Sequence, residues 1–104
     1  MAVKERGVSV IQAGNDGAVV EIDTSSIDRL TVEVPGAVLL GGGVLELKKG
    51  QSRQPFATPL TITSNTSVID KADVSSIPMM VLQVTTPTSD PVSLQVMWYG
   101  EEDN

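Results

Sequence analysis

The sequence predicts an all-β protein, a β-sandwich of jelly-roll type in which two sheets of about eight short strands pack face to face. Three observations lead there. Apolar residues recur with period two along most of the chain, turn-forming residues separate the alternating runs, and no stretch carries the 3.6-residue apolar stripe of a helix.

Leu30, Val32 and Val34 face one way while Thr31 and Glu33 face the other, which predicts a strand with one wet face. Met80, Leu82 and Val84 alternate with Val81, Gln83 and Thr85, and Val92, Leu94, Val96 and Trp98 alternate with Ser93, Gln95, Met97 and Tyr99. Shorter strands are expected at Val8 to Gln12, Ala18 to Asp23, Val44 to Lys48, Pro59 to Thr63 and Thr66 to Asp70. Gly14-Asn15-Asp16-Gly17 supplies residues that tolerate φ > 0 and predicts a tight hairpin between its flanking strands. Pro35-Gly36, Lys49-Gly50, Ser64-Asn65 and the stretch from Pro87 to Pro91 punctuate the rest.

An internal repeat gives the architecture a two-fold character. Asp23-Thr24-Ser25-Ser26-Ile27 recurs fifty residues on as Asp73-Val74-Ser75-Ser76-Ile77, and Leu30, Val32 and Val34 then align with Met80, Leu82 and Val84. After one residue of slippage Leu45-Glu46-Leu47 aligns with Leu94-Gln95-Val96. The Asp and Ser side chains suit a tight corner by bonding nearby backbone N–H groups, and the isoleucine anchors that corner in the core. Each unit reads as a hairpin with one apolar face, and two such hairpins facing each other bury both.

A chain of 104 residues makes one domain and hides about 65% of its unfolded surface, enough for one core. The divisions expected are an N-terminal segment, 1–12, serving as an arm or as a first strand; the sandwich, 13–100; and an acidic tail, 101–104. Aromatic residues are only Phe56, Trp98 and Tyr99, so the core must be aliphatic. Trp98, in phase with Leu94 and Val96, belongs to it, which leaves Tyr99 as the aromatic free for surface recognition.

With neither cysteine nor histidine, zinc and haem ligation, thiol nucleophiles and histidine-dependent triads are excluded, and no cofactor is expected. A formal charge of −6 lacks the basic face that nucleic acid demands. No signal peptide or membrane-length apolar run is visible, so the expectation is a soluble protein made in a cytoplasm, with no membrane partner.

The motifs that hint at chemistry have plainer readings. Gly41-Gly42-Gly43 precedes a strand rather than a helix, so it reads as a link or bulge and not as a phosphate cradle. Ser25-Ser26-Ile27-Asp28 matches a capping box but opens at most one helical turn. Asn65-Thr66-Ser67 is a glycosylation sequon without a secretory context. Asp23 with Asp28, and Asp70 with Asp73, are the closest carboxylate groupings; they suit turn capping, with a calcium ion between loops as the chemical alternative. No nucleophile–base pair can be assembled, and the expectation is a protein without enzymatic activity.

The repeated corner and strand, Val20-Glu21-Ile22-Asp23-Thr24-Ser25-Ser26-Ile27 and again Asp73 to Ile77, resemble a group of small β-sandwich proteins from virions of tailed bacteriophages. The resemblance covers roughly Ala18 to Gly100. Many such proteins carry an aromatic where this chain has Leu45-Glu46-Leu47, a departure that counts against a glycan platform. The resemblance implies a structural protein at the virion surface, synthesised in the bacterial host cytoplasm. Its most direct form is a capsid decoration or cement subunit, with the major capsid protein or another virion protein as partner. A homo-oligomer is expected, with a trimer as one form, since symmetric trimers are common at capsid three-fold positions. Val3, Lys4, Arg6 and Val8, basic and apolar residues ahead of the repeat, are the candidate contacts to that partner. The alternative role is a tail or fibre module that binds a host-surface glycan or a partner protein through Tyr99 and loops such as Gly36 to Gly43 or Thr86 to Pro91.

Overall fold

The computed structural model describes residues 2–34, 43–50, 52, 56, 60–61, 67–89 and 93–102. They form eight strands: β1 (Ala2–Gln12), β2 (Val19–Asp23), β3 (Arg29–Val34), β4 (Val44–Lys49), β5 (Leu60–Thr61), β6 (Ser67–Asp73), β7 (Met79–Thr86) and β8 (Ser93–Glu102). Every pairing is antiparallel, and the strands divide into one sheet ordered β1-β8-β3-β6 and a second ordered β2-β7-β4-β5. The chain is all-β, sandwich-like, with two antiparallel sheets packed together. Among the described residues no helix is long and apolar enough to cross a membrane.

The period-two pattern sorts side chains as the strand geometry requires, one face inward and one outward. Ile11, Ile22, Leu30, Val32, Leu45, Leu47, Met80, Leu82, Val84 and Val96 fill the space between the sheets, each almost wholly buried. The core is aliphatic, with Phe56 and Trp98 packed against its margin. Some outward positions depart from a simple wet face. Thr31, only 1% exposed, lies between Tyr99 of β8 and a bulge in β6, where its Oγ1 accepts a hydrogen bond from the Lys71 N–H at 3.1 Å. Val81 is fully buried, and the register sets it between Glu21 and Lys48.

Consecutive strands do not pair as the turn residues suggest. Gly14 to Gly17 carries the chain from one sheet to the other instead of closing a hairpin. Gly17 does take positive φ, at 81°, but its N–H donates to the Val84 carbonyl, the Val84 N–H donates to the Ala18 carbonyl, and the Thr88 N–H donates to the Ala13 carbonyl. The turn is therefore bonded to β7 and the residues after it, and Ala13 is buried within it. The same crossing occurs between β3 and β4, so neither three-strand stretch, β2-β3-β4 or β6-β7-β8, is a self-paired hairpin. Among the described strands only β4 and β5 are both consecutive and paired.

Residues 2–12 form β1, an edge strand in register with β8 over most of its length. It begins well before the expected Val8. Glu101 and Glu102, placed in an acidic tail by sequence, complete β8 opposite Val3 and Ala2. Gly41 and Gly42, Asn65 and Thr66 of the sequon, and most of the Gly36 to Gly43 loop lie outside the described residues, as do Asp90, Pro91 and Val92.

Candidate functional site

The outward face of the β1-β8-β3-β6 sheet assembles the residues of greatest interest. Cross-strand register places Arg6 beside Tyr99 and Thr31, and Val8 beside Met97, Glu33 and Val68. Members of one such row share a face, so β1 and β8 turn Arg6, Val8, Met97 and Tyr99 outward together. They line a shallow groove of about 510 Å³, completed by Val3, Gly7, Glu33 and Trp98. Val8 is 63% exposed, Val10 55% and Val3 45%, an unusual density of open valine on one strand.

Four of the five residues proposed from sequence therefore converge on this groove: Val3, Arg6, Val8 and Tyr99. Lys4 does not. It is the extra residue of a bulge in β1 and forms an ion pair with Glu102 at 3.1 Å. Met97 and Glu33 join the site unannounced by sequence, although the alternation already put both on the outward side; their meeting with Arg6 depends on which strands are neighbours. Arg6 and Glu33 stand two strands apart, about 10 Å across the sheet, and flank the apolar strip rather than pairing over it.

Trp98 is in phase with Leu94 and Val96 on an inner strand and packs against the core, but it is only half-buried. Its indole covers Gly7, where a Cβ would overlap the ring, and its Nε1–H is buried with no hydrogen-bond partner among the described residues.

The two Asp-x-Ser-Ser-Ile corners meet at one end of the sandwich. Asp23 Oδ1 accepts from the Ser25 hydroxyl at 2.6 Å and the Ser25 N–H at 2.9 Å; Asp73 Oδ1 accepts from the Ser75 hydroxyl at 2.7 Å and the Ser75 N–H at 3.1 Å. The serine hydroxyl above all, and then its N–H, hold each carboxyl below the ordinary aspartate value, with Arg29, 3.3 Å from Asp73, adding to the second. The Thr24 N–H donates to the Pro78 carbonyl at 3.1 Å and the Val74 N–H to the Asp28 carbonyl at 2.9 Å, so each corner caps the other. A cleft of about 230 Å³ between them is lined by Thr24, Ser25, Ser75 and Ser76. With Asp23 and Asp73 each bonded to their own corner, no group of three or more acidic, histidine or cysteine side chains able to hold a metal occurs among the described residues.

No protein-family model matches the chain, and neither curated proteins nor solved structures provide a match. The chemistry of the site must be read from its own residues. An open, apolar, arginine-edged strip on a sheet face offers contact area and orientation to a partner surface.

Proposed function

We propose that this chain is a non-enzymatic structural protein of a phage virion, a capsid decoration or cement subunit that binds the assembled shell through the outward face of β1 and β8. The observation that carries the reading is the convergence of Val3, Arg6, Val8 and Tyr99, with Met97, on one face. The bacteriophage resemblance of the two corners supplies the context. Binding to the shell and not to its free subunits stabilises the shell by mass action.

On this reading the fold is a jelly roll built from a duplicated three-strand unit. The strand orders support it: exchanging β2 with β6, β3 with β7 and β4 with β8 converts β8-β3-β6 into β4-β7-β2. The mutual capping bonds between the corners support it as well, since shifting the Thr24-to-Pro78 bond by fifty residues and exchanging donor and acceptor stretches yields the Val74-to-Asp28 bond. One detail of the sequence alignment moves. Glu46 faces Gln83 and Met97 faces Glu33, so Leu47 corresponds to Trp98 and Leu45 to Val96, two residues further along β8 than the sequence match.

Co-sedimentation with shells lacking the protein tests the role. Removing residues 1–12 would strip β1 from β8, so the informative variants are Arg6→Glu and Tyr99→Ala in the full chain. Saturable binding by the natural protein and about tenfold weaker binding by Arg6→Glu is the expected result. No binding by the natural protein overturns it. Glycan binding lost in Tyr99→Ala would instead assign the groove to recognition by a tail or fibre module.

A further inference from the structure

The four edges of the two sheets are unequally protected against strand addition. Among the described residues β5 shows only Leu60–Thr61; β2 has five residues and presents Glu21 and Asp23 outward; β6 carries Asp70, Lys71 and Asp73 and a bulge at which Lys71 takes φ 50°. Short length, charge and bulges are the devices by which edges resist pairing. β1 uses them only in its first half, where Lys4, Glu5 and Arg6 sit at the bulge. Its second half, Gly7-Val8-Ser9-Val10-Ile11-Gln12, has no charge, no proline and no bulge, and among the described residues no strand lies on its outer side.

We infer that residues 6–12 of β1 pair antiparallel with the same residues of a second copy of this chain, joining the two β1-β8-β3-β6 sheets into one. The segment is complementary to itself. A two-fold axis at Ser9 sets Val8 of one protomer against the partner's Val10 and Arg6 against the partner's Gln12, so valines meet valines and no like charges are opposed. Val8 and Val10 are the two most exposed of the large apolar residues described, and this pairing brings them together along the seam. Charge selects the same edge. Each copy carries −6 overall and the β2 and β6 edges are acidic, whereas β1 holds Lys4 and Arg6 against Glu5 alone. Two copies approach with least repulsion there, and added salt should tighten the dimer. The dimer does not depend on the role in a virion, because it needs no shell.

Sedimentation equilibrium of the full chain over a concentration series is the test. The mass should rise from one chain to two, and Val8→Lys with Val10→Lys should raise the dissociation constant roughly tenfold or more by opposing lysines across the seam, with the circular dichroism and melting of the monomer retained. Val68→Lys, on the opposite edge strand and also exposed, should leave the dimer intact. Hydrogen exchange on the natural protein reads the seam without substitution: amides within 7–12 should slow as concentration rises. A single-chain mass throughout overturns the inference. So does a three-chain mass, a dimer indifferent to the double substitution, or exchange at 7–12 that ignores concentration. Failure to bind shells, with the dimer present, would count against the attachment role alone.

Discussion

Trp98 lies across Gly7, its register partner on the neighbouring strand, so closely that a Cβ at position 7 would overlap the indole ring. The pair closes the margin of the core beside the groove. A side chain at position 7 would force the indole out of its place. Gly7→Ala should therefore cost about 1 to 3 kcal/mol in urea unfolding. The chain's single tryptophan reports the displacement directly, and its emission should shift to the red. An unchanged emission with unchanged stability would show that the ring does not rest on Gly7.

Neighbouring aromatics on β8 should behave differently because alternation sends them to opposite faces. Trp98→Ala should cost about 3 kcal/mol by opening a cavity at the margin of the core. Tyr99→Ala, on the outward face, should cost about 1 kcal/mol or less. Trp98→Phe should fall between, since it loses packing but also removes a buried Nε1–H that has no partner among the described residues. Denaturant midpoints for the three variants decide the order.

Lys71 occupies φ 50° at the β6 bulge, a conformation that a lysine side chain pays for and glycine does not. Lys71→Gly should be neutral or stabilising by about 0.5 kcal/mol, because the backbone N–H bond to Thr31 Oγ1 remains. Lys71→Val should lose about 1 to 2 kcal/mol, as a β-branched residue is least tolerated there. Thermal unfolding of the two variants should separate in opposite directions.

Asp23 and Asp73 are held below the ordinary aspartate value by their serine partners, so protonating either one weakens its corner. A carboxyl whose folded pKa is depressed contributes stability that is full above the unfolded value and is lost as pH falls through the folded one. The contribution should thus be constant at neutral pH and fade below about pH 4. Carboxyl carbon resonances should titrate low at both residues. Ser25→Ala should raise the Asp23 midpoint and Ser75→Ala the Asp73 midpoint, each without moving the other.

Strand positions were legible in the sequence because burial on one face leaves a period-two record in each segment separately. Leu30-Thr31-Val32-Glu33-Val34 carries its inward and outward assignments on its own, and the paired Asp-x-Ser-Ser-Ile corners announce their local hydrogen bonds in the same way. Tyr99 and Arg6 could each be recognised as outward-facing or accessible by such local reasoning. Partner choice leaves no local record. Nothing in Val8 or Met97 says that β1 will lie beside β8, some ninety residues away, and the glycine-rich turn after β1 looks the same whether it closes a hairpin or crosses between sheets. That decision belongs to the tertiary structure, because Ile11 and Ile22 must enter one core from opposite sides and the turn between them bonds to β7. Packing brought the residues of the groove together on one sheet face; the chain alone fixed only which way each of them points.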